Sequence, residues 1–231
     1  MRKYWIRKIA LGVKRDYEAL RQDALNRLKY GSAAPLCWEC VCIDPAQIKN
    51  AVDIDGDGFV PKGRHSGLVI GGDWDQRITT LDALFKYKAC VKRYAHNHSW
   101  EETGIFGYLL NDIKKKNKKV DACWSLEDVK ERYRRLDEYY EKIKREHRLE
   151  FREKFRDRSM SRLPPFIRRE KDGILVHFDR NGNPVFGTNG HHRIAIAKVL
   201  GLSWVPIQVG AVHREALHKW REHDISVKHK K

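Results

Sequence analysis

Apolar positions along the chain change period several times, and each change predicts an element. Tyr17, Leu20, Ala24, Leu25 and Leu28 recur at helical spacing and Gly31 closes the segment. This predicts an amphipathic N-terminal helix with its apolar stripe packed on the core. Trp38 to Ile43 predicts a first strand, and GLVIGGDWD, from Gly67 to Asp75, a short apolar strand that ends on two glycines and two carboxylates. Thr79 with Asp82, Ser99 with Glu102 and Ser125 with Asp128 have the spacing of a capping box or its Asp variant, so three helix starts are expected. The third leads into Val129, Tyr133, Leu136, Tyr140 and Ile143, one apolar stripe on a helix expected to reach about Phe155. Pro164-Pro165 ends the helical section. Ile174 to Phe178, Pro184 to Phe186 and Trp204 to Val209 then read as strands.

Strands on both sides of a helical block indicate an α/β (α+β) chain with a split core. The expected organisation is an N-terminal helical segment over 1–34, a first part of the core over 35–78 and a helical insertion over 79–163. The second part of the core follows over 164–212, and a basic helix or tail with Leu217 and Trp220 as anchors occupies 213–231. At 231 residues and 41% hydrophobic the chain can bury a sizeable core.

Charge narrows the partners. The formal net charge of +16 attracts nucleic acid, nucleotides or acidic surfaces. Lys114, Lys115, Lys116, Lys118 and Lys119 form a KKKNKK loop that is a candidate phosphate-backbone track, used mainly non-specifically. Elsewhere, Lys and Arg with partners such as Glu141 and Arg145 read as a solvated helix face. No apolar run reaches transmembrane length, the N-terminus lacks a secretory h-region, and five cysteines is an odd number. A cytoplasmic protein with reduced thiols and no membrane partner is therefore expected. Cys37-x-x-Cys40, with Cys42, His96 and His98 nearby in sequence, lacks a second close cysteine pair and reads as buried thiols rather than a zinc site. Asp53 to Gly58 resembles the start of a calcium loop but meets His65 where a Glu is needed, so it reads as a polar turn.

The densest chemistry lies between Asp179 and Ala197. Asn181-Gly182 signals a hairpin, and Gly187-Thr188-Asn189-Gly190 follows, where backbone amides can approach a ligand closely. A helix then starts at His191, His192 and Arg193. Its orphan amides, its dipole and the Arg193 fork favour a phosphate or carboxylate. The competing structural reading is an ordinary glycine hairpin with a decorated first turn. Asp73 and Asp75, two apart on an expected strand, share a face and are candidates to bind Mg2+ or orient an acceptor hydroxyl. Glu39 and Asp44 are weaker candidates. A nuclease would use the same carboxylates with His191 or His192 as general base or metal ligand.

The segment Gly187 to Val209, GTNGHHRIAIAKVLGLSWVPIQV, resembles the nucleotide-binding box of the ParB/sulfiredoxin-like superfamily, in which a (D/G)G-x-(H/R)-R loop opens a helix and an "IPV"-like strand follows. Trp38 to Ile48 resembles the family's first strand and "dP..I" turn. GGDWD, Ser99 to Thr103 and GHHR together resemble a group of uncharacterised ParB-like proteins. The resemblance implies a ParB/sulfiredoxin-like core that binds a nucleoside triphosphate, ATP or CTP, with Mg2+ at Gly187, Thr188, Asn189, Gly190, His191, His192 and Arg193. The activity it implies is NTP hydrolysis or phosphoryl transfer, with Asp73, Asp75, His191 and His192 as catalytic candidates. The alternative is a ParB-like nuclease or a non-enzymatic nucleic-acid-binding protein using the same box and the basic surface. Asn189 stands where many members have Asp, the box holds no Cys for sulfiredoxin chemistry, and only a short tail follows Val212 where ParB carries a helix-turn-helix.

Overall fold

The computed structural model describes residues 2–150 and 173–225, with side chains from residue 13 onward apart from residue 15. The chain forms a mixed α/β structure that divides into two compact units. The first comprises residues 1–79, 150–190 and 204–231, and the second residues 80–149 and 191–203. The basic stretch after residue 150, Phe155, Pro164-Pro165 and the last basic residues lie outside the described residues.

The first unit is built on a seven-stranded sheet. Its strands are β1 (Cys40–Ile43), β2 (Asn50–Val52), β3 (Val69–Ile70), β4 (Ile78–Thr80), β5 (Ile174–Phe178), β6 (Pro184–Phe186) and β7 (Val205–His213), in the order β1-β7-β5-β6-β2-β4 with β3 alongside β7. β7 is the spine. It pairs antiparallel with β1 and parallel with β5 and β3. Every residue of β5 and of β7 is buried, which is why both read as near-continuous apolar runs. β7 continues to His213, four residues past the strand expected from Trp204 to Val209. β2 and β4, three residues each, carry no signal long enough to predict.

The N-terminal helix α1 spans Arg2–Tyr30, but its orientation reverses the expectation. Asp16, Ala19, Asp23 and Asn26 face inward, while Tyr17, Leu20, Leu25 and Leu28 are 66, 49, 47 and 85% exposed. The reason is the demand of buried backbone groups for partners. Asn26 Nδ2 donates to Pro35 O (3.0 Å) and Gly67 O (2.5 Å), and Asp23 Oδ1 accepts from Cys37 N (2.7 Å). The polar stripe docks the helix on the loops around β1. The tail is docked too: Trp220 is fully buried and donates to Ala33 O (2.9 Å), and Arg221 forks onto Glu39 (2.7 and 3.2 Å).

The second unit is helical: α2 (Phe85–His96), α3 (Ile105–Lys116), α4 (Leu126–Glu146) and α5 (His191–Val199). Of the three expected helix starts, only Ser125 opens a helix with a reciprocal capping box. Ser99 and Glu102 exchange the same bonds around a turn, and α3 begins later at Ile105. Thr79 precedes a 3-10 turn, Leu81–Ala83, that contains Asp82, and α2 starts at Phe85. α4 stops at Glu146, with His147 left-handed as its cap, rather than reaching Phe155. Val129, Tyr133 and Ile143 of its stripe are buried.

Candidate functional site

The glycine loop belongs to the first unit, and β5 holds it. Gly187 N donates to Leu175 O (2.7 Å), and Leu175 N donates to Asn189 O (3.1 Å). Gly190 adopts φ +96°, and a Cβ there would come 2.7 Å from Ile174 Cα. These glycines therefore allow close approach to a protein strand, and the Gly187 amide is committed to it. Thr188 and Asn189 are half-buried. Gly187 makes further room: a Cβ there would lie 2.9 Å from His177 Nε2. His177 is fully buried, and its Nδ1 accepts from Ala211 N (2.8 Å), so Nε2 carries the ring hydrogen.

Asp73 and Asp75 do come together, though by a route that strand alternation does not provide. β3 ends at Ile70, and Asp75 sits in a 3-10 turn, Trp74–Gln76. Arg180, from the hairpin after β5, gathers both: Nη2 donates to Asp73 Oδ1 (2.7 Å) and Asp75 Oδ1 (2.8 Å), and Nε and the backbone N donate to Asp75 Oδ2 (2.7 and 3.0 Å). The Asp75 side chain is 3% exposed. Its carboxyl is held down at about 2, chiefly by the Arg180 side-chain hydrogen bonds acting against burial. The one guanidinium clasps both carboxylates and offsets one of their two charges, and the Asp73 side chain stays 75% exposed.

The rest of the box opens α5 in the second unit. Arg193 is 7% exposed and buried with Ile194, Ala195, Ile196 and Ala197, so it is not a fork presented to solvent. A short helix covered on nearly all sides has little surface on which to display a cation. His191 and His192 are not cations at neutral pH either. Burial, aided by the Lys86 charge, lowers His191 to about 4, and burial, aided by Arg132, lowers His192 to about 3. Such values leave them poor general bases near pH 7. His192 Nε2 is hydrogen-bonded with Tyr133 OH at 3.2 Å, and Tyr133 is 1% exposed.

Three charged residues of the second unit converge on this helix start, and none carries a sequence motif. Lys86 Nζ donates to Asp121 Oδ2 (2.6 Å), with side chains 19 and 24% exposed. Burial opposes ionisation of Asp121, yet its Lys86 hydrogen bond and the nearby Lys86 and Arg132 charges hold it below the ordinary carboxylate range. Arg132 Nε is buried, with no hydrogen-bond partner among the described residues. Asp121 and Ala122 both have positive φ, 50° and 68°, in the turn bridging Val120 to Cys123. Left-handed backbone at two consecutive non-glycine residues is strain of the kind found at functional sites. The charged group consists of two cations and one carboxylate, beside two neutral imidazoles.

Lys114, Lys115, Lys116, Lys118 and Lys119 are all exposed at the end of α3 and just after it. Asp112 pairs with Lys116 at 2.8 Å and offsets part of this charge. All five cysteines are thiols, and no group of three or more His, Cys, Asp or Glu side chains able to hold a metal occurs among the described residues. Asp53 Oδ1 accepts from Asp55 N (3.1 Å) and Gly56 N (3.3 Å), closing the Asp-rich loop as a turn. No helix among the described residues is long and apolar enough to cross a membrane.

Buried neutral histidines set a testable acid sensitivity. His177, lowered by burial to about 3, joins His191 and His192 as groups whose folded pKa lies below the usual 6.5. The unfolded chain then binds protons that the folded chain refuses. Their contribution is fully present above pH 6.5 and is lost progressively as pH falls towards 4 and 3. Asp75 acts lower: its contribution is present above the ordinary carboxylate pKa and is lost as pH falls to about 2. Thermal melts across pH 3 to 8 should show Tm declining already between 6.5 and 4. A flat Tm in that window would contradict the neutral assignment.

No family model matches the chain, and no curated protein and no solved structure matches it.

Proposed function

We propose that the chain is a ParB/sulfiredoxin-like protein that binds a nucleoside triphosphate, ATP or CTP, and hydrolyses it or transfers its terminal phosphoryl group. The observation that carries this reading is the placement of Lys86, Arg132 and Asp121 at the start of α5, where His191 and His192 open the helix. Phosphoryl transfer asks a protein for charge neutralisation and positioning more than for covalent chemistry. Lys86 and Arg132 supply positive charge for the phosphate oxygens, and the first amides of α5 add the helix dipole. Asp121, ionised at neutral pH, orients the attacking hydroxyl. Mg2+ enters with the triphosphate and screens its charge.

Calorimetric titration with ATP, CTP and GTP, with and without Mg2+, tests the reading. One nucleotide should bind saturably, and Lys86→Met and Arg132→Met should each weaken it about tenfold or more, the cost of a charged hydrogen bond. Asp121→Asn should spare binding and depress turnover. The exposed lysines from Lys114 to Lys119 support a second reading, non-specific nucleic-acid binding or cleavage. Absent nucleotide affinity together with steeply salt-dependent binding to a DNA duplex would put that reading first.

A further inference from the structure

Within the first unit, a cavity of about 540 Å3 lies between α1, the loop around Gly63 to Ser66, Asn189 and β7. That volume falls in the range of small-molecule sites, roughly 300 to 1,000 Å3. One wall carries Gln208, which is 2% exposed and whose Oε1 has no hydrogen-bond partner among the described residues. A buried acceptor without a partner costs free energy, and an apolar residue of the same length would remove the cost. Gln208 also stands alone as a carboxamide in the otherwise apolar run from Val205 to Val212 of β7, paired with Cys40 on one side and Leu175 on the other.

The surrounding backbone is held open at the cavity's edge. Trp38, a bulky residue, sits at φ 57°, a conformation costly for such a side chain. Ser66 fixes it there: Trp38 N donates to Ser66 Oγ (3.1 Å), and Ser66 Oγ donates to Val209 O (2.5 Å). Trp38 and Ser66 both line the cavity. Backbone strain maintained by a buried hydroxyl, beside a buried carboxamide oxygen without a partner among the described residues, is a pre-organised arrangement.

Chemistry selects the occupant. Glu18, the carboxylate in the lining, is exposed, and no buried carboxylate stands in the lining beside Gln208 to answer an ammonium group, so the inward end of the ligand is a neutral N–H donor with an adjacent acceptor. Asn189 offers a second carboxamide, Trp38 an indole, and Arg64 an exposed cation. A planar heterocycle with an amide or amino edge meets these demands, with any phosphate directed outward to Arg64. We infer that this cavity is a nucleoside site: Gln208 reads the base edge, and Arg64 meets a 5′-phosphate. The site belongs to the first unit alone and does not depend on phosphate handling at Lys86 and Arg132.

The test titrates the full chain calorimetrically with adenosine, guanosine, cytidine and uridine, then with the matching 5′-monophosphates. One nucleoside should bind, and Gln208→Met should weaken it about tenfold, as expected when a site built to hydrogen-bond its ligand loses that group. The same variant without ligand should melt at the parent's temperature or above it, because an unpaired buried polar group has been removed. Arg64→Ala should leave nucleoside affinity unchanged and remove the advantage of the monophosphate. Gln208→Met should leave the Lys86-dependent affinity for the triphosphate intact, so failure of the triphosphate proposal and failure of this one give different results. The inference is overturned if no nucleoside binds at millimolar concentration, or if Gln208→Met binds as the parent does. It is also overturned if that variant melts well below the parent, which would make Gln208 a structural residue. Equal affinity for nucleoside and monophosphate in the parent would remove Arg64 from the site.

Discussion

Gly67→Ala should destabilise the protein by about 3 kcal/mol or more, the range of overpacking combined with backbone strain. Gly67 has φ +75°, and a Cβ there would lie 2.5 Å from Cys37 N and 2.6 Å from Cys37 Cα and Leu36 C. All three are backbone atoms, so no side-chain rotation relieves the overlap. The loop before β3 would have to move away from the segment leading into β1. That movement would break Gly67 N donating to Gly210 O (2.9 Å) and Asn26 donating to Gly67 O. α1 would lose one of the bonds that turn its polar face inward. Gly72→Ala is the control: φ is +84° but nothing lies within 4 Å. It should cost only the left-handed penalty, about 1–2 kcal/mol. Denaturant titration of both variants measures the difference, and equal costs would show that the Leu36–Cys37 contact contributes nothing.

The contrast also explains which parts of the structure were legible in the sequence. The strands of the sheet's centre were readable because β5 and β7 are buried on both faces and therefore apolar at successive positions. The start of α4 was readable because a capping box is local chemistry. The facing of α1 was not, because its determinant is a hydrogen bond from Asn26 to a glycine 41 residues away. Periodicity correctly predicted a helix there and wrongly chose its buried side. Polar demand outweighed the apolar stripe, leaving Leu28 85% exposed.

The candidate sites divide in the same way. Asp73 and Asp75 were conspicuous as a pair, yet their partner Arg180 comes from more than a hundred residues away. Lys86, Asp121 and Arg132 have no common spacing, and only the packing of the helical unit relates them to His191 and His192. The visible signal for Asp121 would have been a non-glycine left-handed turn, which composition does not encode. Gln208 was legible in principle, since a lone carboxamide in the run from Val205 to Val212 is a polar residue at a core position.

Gly210→Ala should be comparably costly, about 3 kcal/mol or more from overpacking and a lost buried hydrogen bond. A Cβ at 210 would overlap His177 Nδ1 and lie 2.6 Å from its Cε1 and 3.0 Å from Val176 O. Here the nearest obstacle is a side chain, but one that cannot yield cheaply. His177 is fully buried, Trp74 packs edge-on against its ring with centroids 5.9 Å apart, and its Nδ1 accepts from Ala211 N. Displacing the ring strands that amide in the centre of the sheet. The cause can be isolated because the clash partner can be deleted. His177→Ala alone should destabilise by opening a cavity and orphaning the Ala211 amide. In the double variant the overlap is gone, so the two costs should fall short of their sum by at least about 1 kcal/mol, the coupling typical of residues in contact. Strict additivity would place the cost of Gly210→Ala in the Val176 carbonyl contact, and His177 would then be a bystander in a strand that requires glycine for backbone reasons.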